Sequence, residues 1–153
     1  NSLLKARYVC EKTGISALAD DSGLCVPSLG GGPGIFSSRY AGEGSSDVEN
    51  MEKLLSSLSH TVGAGRICFF VCVLALLKSK DDPMPYIVSK IWRGEVLREP
   101  RGENGFGYDP LFYVPHYKCS AAELPSALKN QISHRGQAMK AFLGDLQVGT
   151  GCD

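Results

Sequence analysis

Two adjacent carboxylates, Asp20 and Asp21, stand between apolar residues and are followed by Ser22 and Gly23. Adjacent carboxylates repel one another, so the pair is worth keeping only where a cation lies beside it. Mg²⁺ takes carboxylate, phosphate and water oxygens, and it needs only one or two protein carboxylates when a substrate supplies the rest. The same four residues also make a good turn, and taken alone they favour that simpler interpretation.

A second feature combines glycines with aromatic rings in residues 105–110, where Phe106, Gly107, Tyr108 and Asp109 follow one another. Glycine lets a backbone approach a ligand closely, the two rings offer flat faces, and the carboxylate offers acceptors for a base or sugar edge. This combination would suit a planar ligand. The alternative is an aromatic loop that packs on the core.

A third feature gathers polar and cationic groups at a predicted helix start, where Ser133 precedes His134 and Arg135, with Lys129 a few residues before them. Backbone donors at a helix N-terminus, together with these side chains, would suit an electron-rich carbonyl or a phosphate. A helix cap followed by an incidental His-Arg pair is the alternative.

The first half of the chain must hold the acidic pair in place. Residues 2–12 have the apolar spacing of an amphipathic helix, and Gly14 stands where a helix-ending glycine belongs. Two short strands, at 17–19 and 24–26, are expected on either side of an acidic turn. Residues 27–34 hold four glycines and two prolines, so we expect a loop there.

The rest of the chain alternates helices with strands without a regular βαβ repeat. Ser46 and Glu49 have the spacing of a capping box, which predicts a helix through residue 58. The remaining elements are an antiparallel strand pair at 66–78 and 85–97, a short strand at 111–113, a helix at 121–129, and a helix after Ser133 that buries Met139, Phe142, Leu143 and Leu146. These elements predict the α/β class with a mixed sheet flanked by helices.

Composition limits the possible partners and location. The 153 residues carry 16 basic and 16 acidic side chains, which argues against nucleic acid or a membrane surface as partner. The longest apolar run, residues 67–77, is too short to cross a bilayer, and no secretion signal stands at the start, so we expect a cytoplasmic protein. We expect the six cysteines to be reduced thiols.

The three features and their surroundings together resemble the Ham1-type inosine/xanthosine triphosphate pyrophosphatases, especially the bacterial ones. The motifs follow the order of that family: N-x-L-x-K-A-R (1–7), A-L-A-D-D-S-G-L (17–24), L-G-G-G-P-G-I-F-S-x-R-Y-A-G (29–42), R-G-E-N-G-F-G-Y-D-P-L-F (101–112), A-A-E-L (121–124) and K-N-Q-I-S-H-R-G-Q-A (129–138). The resemblance implies an elongated α/β fold and a homodimer. It also implies Mg²⁺-dependent hydrolysis of ITP, dITP and XTP to the nucleoside monophosphate and pyrophosphate.

The resemblance also implies roles for individual residues. Asp21 would be the catalytic residue and a metal ligand, with Asp20 beside it as a second ligand. The substrate-binding residues would be Lys5 on the phosphates, Ser22, a base-binding loop of Phe106, Gly107, Tyr108 and Asp109 in which Phe106 stacks on the purine, and Lys129, His134 and Arg135 around the base edge. Donors at that edge would favour a 6-oxo purine over the amino group of adenine.

Relatives of this kind begin with a strand, a phosphate-gripping loop of the form S/T-x-N-x-x-K and a metal-binding Glu, and no such motif occurs in these 153 residues. We therefore expect residues 1–153 to be a single, N-terminally truncated domain. Two alternatives stay open at this point. One is a Maf-type nucleotide pyrophosphatase with another base preference, and the other is a nucleotide-binding module without turnover.

Overall fold

The computed structural model describes the backbone of residues 1–149 and the side chains of residues 1–146, so the thiol predicted for Cys152 lies outside the described residues. The strands are β1 (Ala17–Cys25), β2 (Ile67–Leu77), β3 (Tyr86–Val96), β4 (Phe112–Val114) and β5 (Cys119–Ser120). The α-helices are α1 (Ser2–Thr13), α2 (Asp47–Ser57), α3 (Ser126–Ile132) and α4 (His134–Gly149).

The five strands form one sheet in the order β1-β2-β3-β4-β5, and each neighbouring pair is antiparallel. The predicted α/β class, with a sheet flanked by helices, is confirmed. Within residues 1–149 the sheet is purely antiparallel, whereas we expected a mixed sheet. Sheet neighbours are also neighbours along the chain, and such consecutive strands pair antiparallel without a parallel crossover.

Strand β1 continues through the acidic segment, so the predicted turn at Asp20 and Asp21 is wrong. Asp20 pairs with Leu74 and Asp21 with Val73, in register with β2. The long apolar strand β2 offers a backbone partner to every residue of β1, and this pairing overrides the local turn preference of the acidic residues.

The two faces of β1 carry different helices. One face packs against α1 through Ala6, Cys10, Ala17, Ala75 and Leu77. The other face of the sheet packs against α4 through Cys72, Leu74, Val88, Ala138 and Phe142. Because successive strand residues point to opposite faces, Asp21 lies on the α1 face and Asp20 on the α4 face.

The helices lie near their predicted positions, but some of their boundaries and buried faces differ from the prediction. The capping box of Ser46 and Glu49 is present at the start of α2, and Gly14 ends α1 with a φ of 71°. Helix α3 begins at Ser126, later than the predicted residue 121. Before it, the Ala121 amide donates a hydrogen bond to the Phe112 carbonyl, which keeps this segment against the sheet.

Helix α4 starts after Ser133 as predicted, since the Ser133 hydroxyl accepts a hydrogen bond from the Gly136 amide at 3.2 Å. Its predicted buried face is mostly wrong. Phe142 is buried, whereas Met139, Leu143 and Leu146 are exposed. The face that meets the sheet runs through His134, Ala138 and Phe142, four residues apart, because His134 is anchored among aromatic side chains.

Five cysteines lie within the described residues, and all five are free thiols. Cys10, Cys68 and Cys72 are buried. Among the helices of residues 1–149, none has both the length and the apolar character that a bilayer span needs.

Candidate active site

Two cavities share Ser22 and Ser38 in their walls, one of about 430 Å³ and one of about 310 Å³. The predicted site residues that line the larger cavity are Ser22, Phe106, Gly107, Tyr108, Asp109, Lys129, His134 and Arg135. Those that line the smaller cavity are Lys5, Asp21 and Ser22. The structure therefore brings together residues from four separate motifs, and Asp20 alone among the predicted residues lines neither cavity.

The smaller cavity lies on the α1 face of the sheet, where Lys5 reaches the acidic segment. The Lys5 ammonium donates to Asp21 Oδ1 at 2.7 Å and to the Asp20 backbone carbonyl at 3.1 Å. Lys5 is thereby held next to the carboxylate by helix α1, whose closely packed Ala6 lies against the sheet. The arrangement offers a cation and a carboxylate side by side in one polar cavity.

Asp20 lies on the α4 face and pairs with Arg135. Arg135 donates from Nε at 3.0 Å and from Nη2 at 2.7 Å, both to Asp20 Oδ2. Each carboxylate of the acidic pair therefore has its own cation on its own side of the strand. This separation does not favour a single ion held by both Asp20 and Asp21.

Asp21 nevertheless has the chemistry of a magnesium ligand. Among the hydrogen bonds of the described residues, its carboxylate uses only Oδ1, toward Lys5. Mg²⁺ accepts one protein carboxylate when phosphates and water complete its coordination. The part of the chain with described side chains holds no cluster of three or more His, Cys, Asp or Glu residues suited to a metal. Asp21 thus fits a site that a phosphate-bearing substrate completes.

The aromatic loop of residues 105–109 is fixed from below by Asp109. This carboxylate is 2% exposed, accepts from the Phe106 amide at 2.8 Å and is paired with the Lys129 ammonium. Gly105 has a φ of 83°, and a Cβ there would lie 2.1 Å from Asp109 Oδ2. The glycine is therefore needed both for its conformation and for the close approach of the carboxylate.

Phe106 presents its ring in the larger cavity. The side chain is 59% exposed, while the Lys129 ammonium and the Arg135 guanidinium carbon lie 5.2 and 5.3 Å from the ring centre. Cations near a ring face restrain the ring without covering it completely. A flat ligand can therefore reach an aromatic surface that is already flanked by hydrogen-bond donors.

His134 is buried at the base of the same cavity, with its ring stacked on Phe70 at 4.7 Å and an interplanar angle of 12°. Burial, together with the positive charges of Arg135 and Lys129, lowers the pKa of His134 to about 4. The imidazole is therefore neutral at pH 7.

Two buried polar atoms, His134 Nδ1 and Ser22 Oγ, have no hydrogen-bond partner within the described part of the chain. Both residues line the larger cavity. Buried polar groups in folded proteins nearly always have partners, so two unpaired atoms in one cavity mark a place where a polar ligand belongs.

The sequence predictions missed several residues that line the two cavities, among them Ser37, Ser38, Arg39 and Asp47. The Tyr108 hydroxyl donates to the Ser37 carbonyl at 2.8 Å, and the Gly107 amide donates to Asp47 Oδ2 at 2.6 Å. Ser37 is a fixed letter of the 29–42 motif shared with the Ham1 type, which could have indicated it, whereas Ser38 stands at the variable position of that motif. The Asp47 contact spans 60 residues, and no local pattern points to it.

Comparisons with known proteins show which family this chain resembles. The model of the Ham1 family matches residues 1–145. A protein of Acinetobacter baumannii (strain ACICU) named dITP/XTP pyrophosphatase is 54% identical over 149 residues, which cover 96% of this chain and 72% of that protein. A Coxiella burnetii protein of the same name is 51% identical over 140 residues, covering 92% of this chain and 70% of its own.

Solved structures of Ham1 proteins have the same fold as this chain. A HAM1 protein from Coxiella burnetii superposes with a TM-score of 0.91 at 49% identity, covering 95% of this chain and 74% of that one. The Staphylococcus aureus Ham1 protein gives a TM-score of 0.89 at 40% identity, with 97% and 75% covered. Sequence and structure together show that this chain belongs to the Ham1 family.

Proposed function

We propose that this chain hydrolyses ITP, dITP and XTP to the nucleoside monophosphate and pyrophosphate, and so removes purine nucleotides with non-standard bases from the nucleotide pool. The observation that carries the proposal is the pair of adjoining cavities. The larger holds an aromatic ring and two unpaired buried polar atoms, and the smaller holds Lys5 beside Asp21. The name dITP/XTP pyrophosphatase of relatives about half identical to this chain supports it.

The larger cavity would take the purine. Phe106 stacks on the base, and Lys129 and Arg135 beside the ring donate to an acceptor at its 6-position. Adenine presents an amino donor there instead. Donor facing donor leaves buried polar groups unpaired, at about 1–3 kcal/mol for each group. This mismatch discriminates against ATP.

The smaller cavity would take the phosphates. Asp21 orients or deprotonates the water that attacks the first phosphorus and breaks its bond to the departing pyrophosphate, because Asp21 is the carboxylate of this cavity. Lys5 supplies a point cation that suits a flexible triphosphate. Ser22, whose hydroxyl is unpaired at the border of both cavities, binds the part of the substrate that joins base and phosphates.

Mg²⁺ belongs to the same proposal, with Asp21 as its protein ligand. When bound, the ion supplies neutralisation of the negative charge that builds up on the departing pyrophosphate. Asp20 takes a different role from the one that the sequence predicted, because its carboxylate is held by Arg135 on the other face of β1. We assign Asp20 to positioning Arg135 near the base.

Product analysis separates this function from its alternatives. With ITP and Mg²⁺, we expect equal amounts of IMP and pyrophosphate. Release of IDP and orthophosphate would place the cleavage elsewhere, and tight binding of ITP without products would support the binding module. Preferred turnover of dUTP or other pyrimidine nucleotides would support a Maf-type enzyme, a reading that the names of the relatives do not favour.

A homodimer and a cytoplasmic location are part of the proposal. Ile87 and Ile91 on one face of β3 are 47% and 58% exposed, and an apolar surface on a sheet face is one that a second subunit can cover. Light scattering after size-exclusion chromatography tests the dimer, for which we expect twice the chain mass of 16.4 kDa. A mass of one chain at micromolar concentration would contradict it.

A further inference from the structure

A short strap, the 3-10 helix Gly34–Arg39, crosses β1 next to the acidic segment. A Cβ on Gly23 would lie 2.3 Å from the Gly34 carbonyl oxygen, so the strap and the strand are in the closest contact that a glycine allows. The Ser37 hydroxyl also accepts from the Leu24 amide at 2.8 Å. The strap is therefore held firmly, and its last two residues, Ser38 and Arg39, line the smaller cavity.

The ion pair that Arg39 forms is weaker than the ion pair that Lys5 forms. Lys5 is bonded to Asp21 at 2.7 Å inside the cavity, so it shares its charge with the carboxylate of the site. Arg39 pairs with Glu43 at 3.3 Å, and the Glu43 side chain is 89% exposed. An exposed pair of this kind contributes little, so the charge of Arg39 is available to a ligand at small cost.

The position of Arg39 also selects which part of a nucleotide it can meet. Ser22 and Ser38 line both cavities, whereas Arg39 lines only the smaller one. Its guanidinium carbon lies 5.2 Å from the centre of the Phe36 ring, which restrains the side chain from one side. Arg39 therefore lies away from the place of the base and close to the place of the phosphates.

We propose that Arg39 is a further substrate-binding residue. It breaks its ion pair with Glu43 and binds the second and third phosphates, the group that departs as pyrophosphate. A guanidinium can donate two parallel hydrogen bonds to phosphate oxygens, which an ammonium such as that of Lys5 cannot do. This inference rests on the proposed function for the identity of the ligand. Its direct test needs only inorganic pyrophosphate.

The binding test compares the whole chain with three variants by calorimetric titration with sodium pyrophosphate in the presence of Mg²⁺. Losing a hydrogen bond to a charged group should make Arg39→Ala bind pyrophosphate about 10- to 100-fold more weakly. Arg39→Lys should lose less, since it keeps the charge without the fork. Glu43→Gln, which breaks the ion pair but keeps Arg39, should bind as well as the unaltered chain or better.

Pyrophosphate binding by Arg39→Ala and Arg39→Lys that equals that of the unaltered chain would overturn the inference, as would an absence of binding by the unaltered chain. A loss in Glu43→Gln as large as that in Arg39→Ala would also overturn it, because the ion pair would then act only through the fold. If pyrophosphate binds as predicted but ITP is not hydrolysed, the proposed function fails while the assignment of Arg39 stands.

Kinetics give a second readout, which separates contact with the phosphates from recognition of the base. Because Arg39 meets phosphates and not the base, Arg39→Ala should lower kcat/KM for ITP and for ATP by the same factor and leave their ratio unchanged. A change in the ratio of the two nucleotides would assign Arg39 to base recognition and contradict the proposal.

Discussion

The two cavities of this protein are built in opposite ways. In the larger cavity the aromatic loop is fixed by hydrogen bonds that it donates to a buried carboxylate, to the start of α2 and to the strap, and the histidine beside it is neutral. In the smaller cavity the cations Lys5 and Arg39 form ion pairs that solvent can reach. A rigid wall can test the shape and donor pattern of a base, whereas exposed charges can adapt to a flexible chain of phosphates.

The largest effect is expected in the smaller cavity, from Asp21→Asn. Loss of a positioned acid-base group typically costs about 10²- to 10⁴-fold in rate, and we expect Asp21→Asn to lose at least the lower figure in ITP hydrolysis. The fold should survive, because this carboxylate faces a cavity and not the core. Steady-state pyrophosphate release and a thermal melt check both points.

Asp20→Asn is the matched control for that prediction. It removes the same charge from the neighbouring residue, which lies on the other face of the strand beside Arg135. We expect it to be clearly milder than Asp21→Asn on hydrolysis. Full activity of Asp21→Asn, or equal losses in the two variants, would refute the division of roles between the two carboxylates.

The larger cavity should respond to Phe106→Ala with a loss that depends on the base. Stacking of a base on an aromatic side chain is worth about 1–3 kcal/mol, which is roughly 5- to 150-fold in affinity for ITP. Pyrophosphate should bind almost as before. Tyr117→Ala, another exposed aromatic outside both cavities, serves as control. Equal losses for ITP and pyrophosphate would make Phe106 a residue of structure and not of recognition.

The protonation of His134 in the larger cavity should make the free energy of unfolding depend on pH. Its folded pKa of about 4 lies below the ordinary value of 6.5, so the unfolded chain binds the proton first as the pH falls. The stability of the neutral form is fully present above pH 6.5 and is lost as the pH falls toward 4, by about 2–3 kcal/mol in the free energy of unfolding.

His134→Gln should remove this part of the pH dependence. Urea unfolding at pH 7 and pH 4.5 measures it as the difference between variant and unaltered chain, which cancels the titration of all other groups. The same change in the free energy of unfolding for both proteins would show that His134 is not held neutral.

The smallest effect is expected for Arg135→Ala, at about tenfold, the lower end of the range for one hydrogen bond from a charged donor. The variant should narrow the ratio of kcat/KM for ITP over ATP, mainly by lowering the value for ITP. Removing a donor withdraws stabilisation from the correct base without creating an acceptor for the amino group of adenine. An unchanged ratio would move Arg135 to phosphate binding or to the fold.

Local sequence rules predicted those elements whose signals are local. The capping box of Ser46 and Glu49 and the long apolar run of residues 67–77 were sufficient for α2 and β2. The course of β1 was not predictable in this way, because the turn preference of Asp20 and Asp21 yields to pairing with a strand about 50 residues away. The buried face of α4 was missed for a related reason. The stacking of His134 on Phe70 chooses the face, and the apolar periodicity does not contain that information.

The structure brings all the predicted site residues except Asp20 to the walls of the two cavities, since the motifs name the residue types that the chemistry needs. What the motifs could not supply is the partner of each charge. The pairing of Asp20 with Arg135 joins residues 115 apart, and that of Asp47 with the Gly107 amide joins residues 60 apart. Only the packing of α4 and α2 on the sheet and loop brings these atoms together.

The central claim is that the larger cavity reads the base by its 6-oxo group, and the most direct test is the ratio of kcat/KM for ITP over ATP on the unaltered chain with Mg²⁺. A site built to hydrogen-bond a substrate group rejects an analogue without that group by about 10⁴–10⁵-fold. We expect a ratio in this range. ITP and ATP hydrolysed with equal kcat/KM would contradict the account, because the donors around Phe106 would then play no part in choosing the substrate.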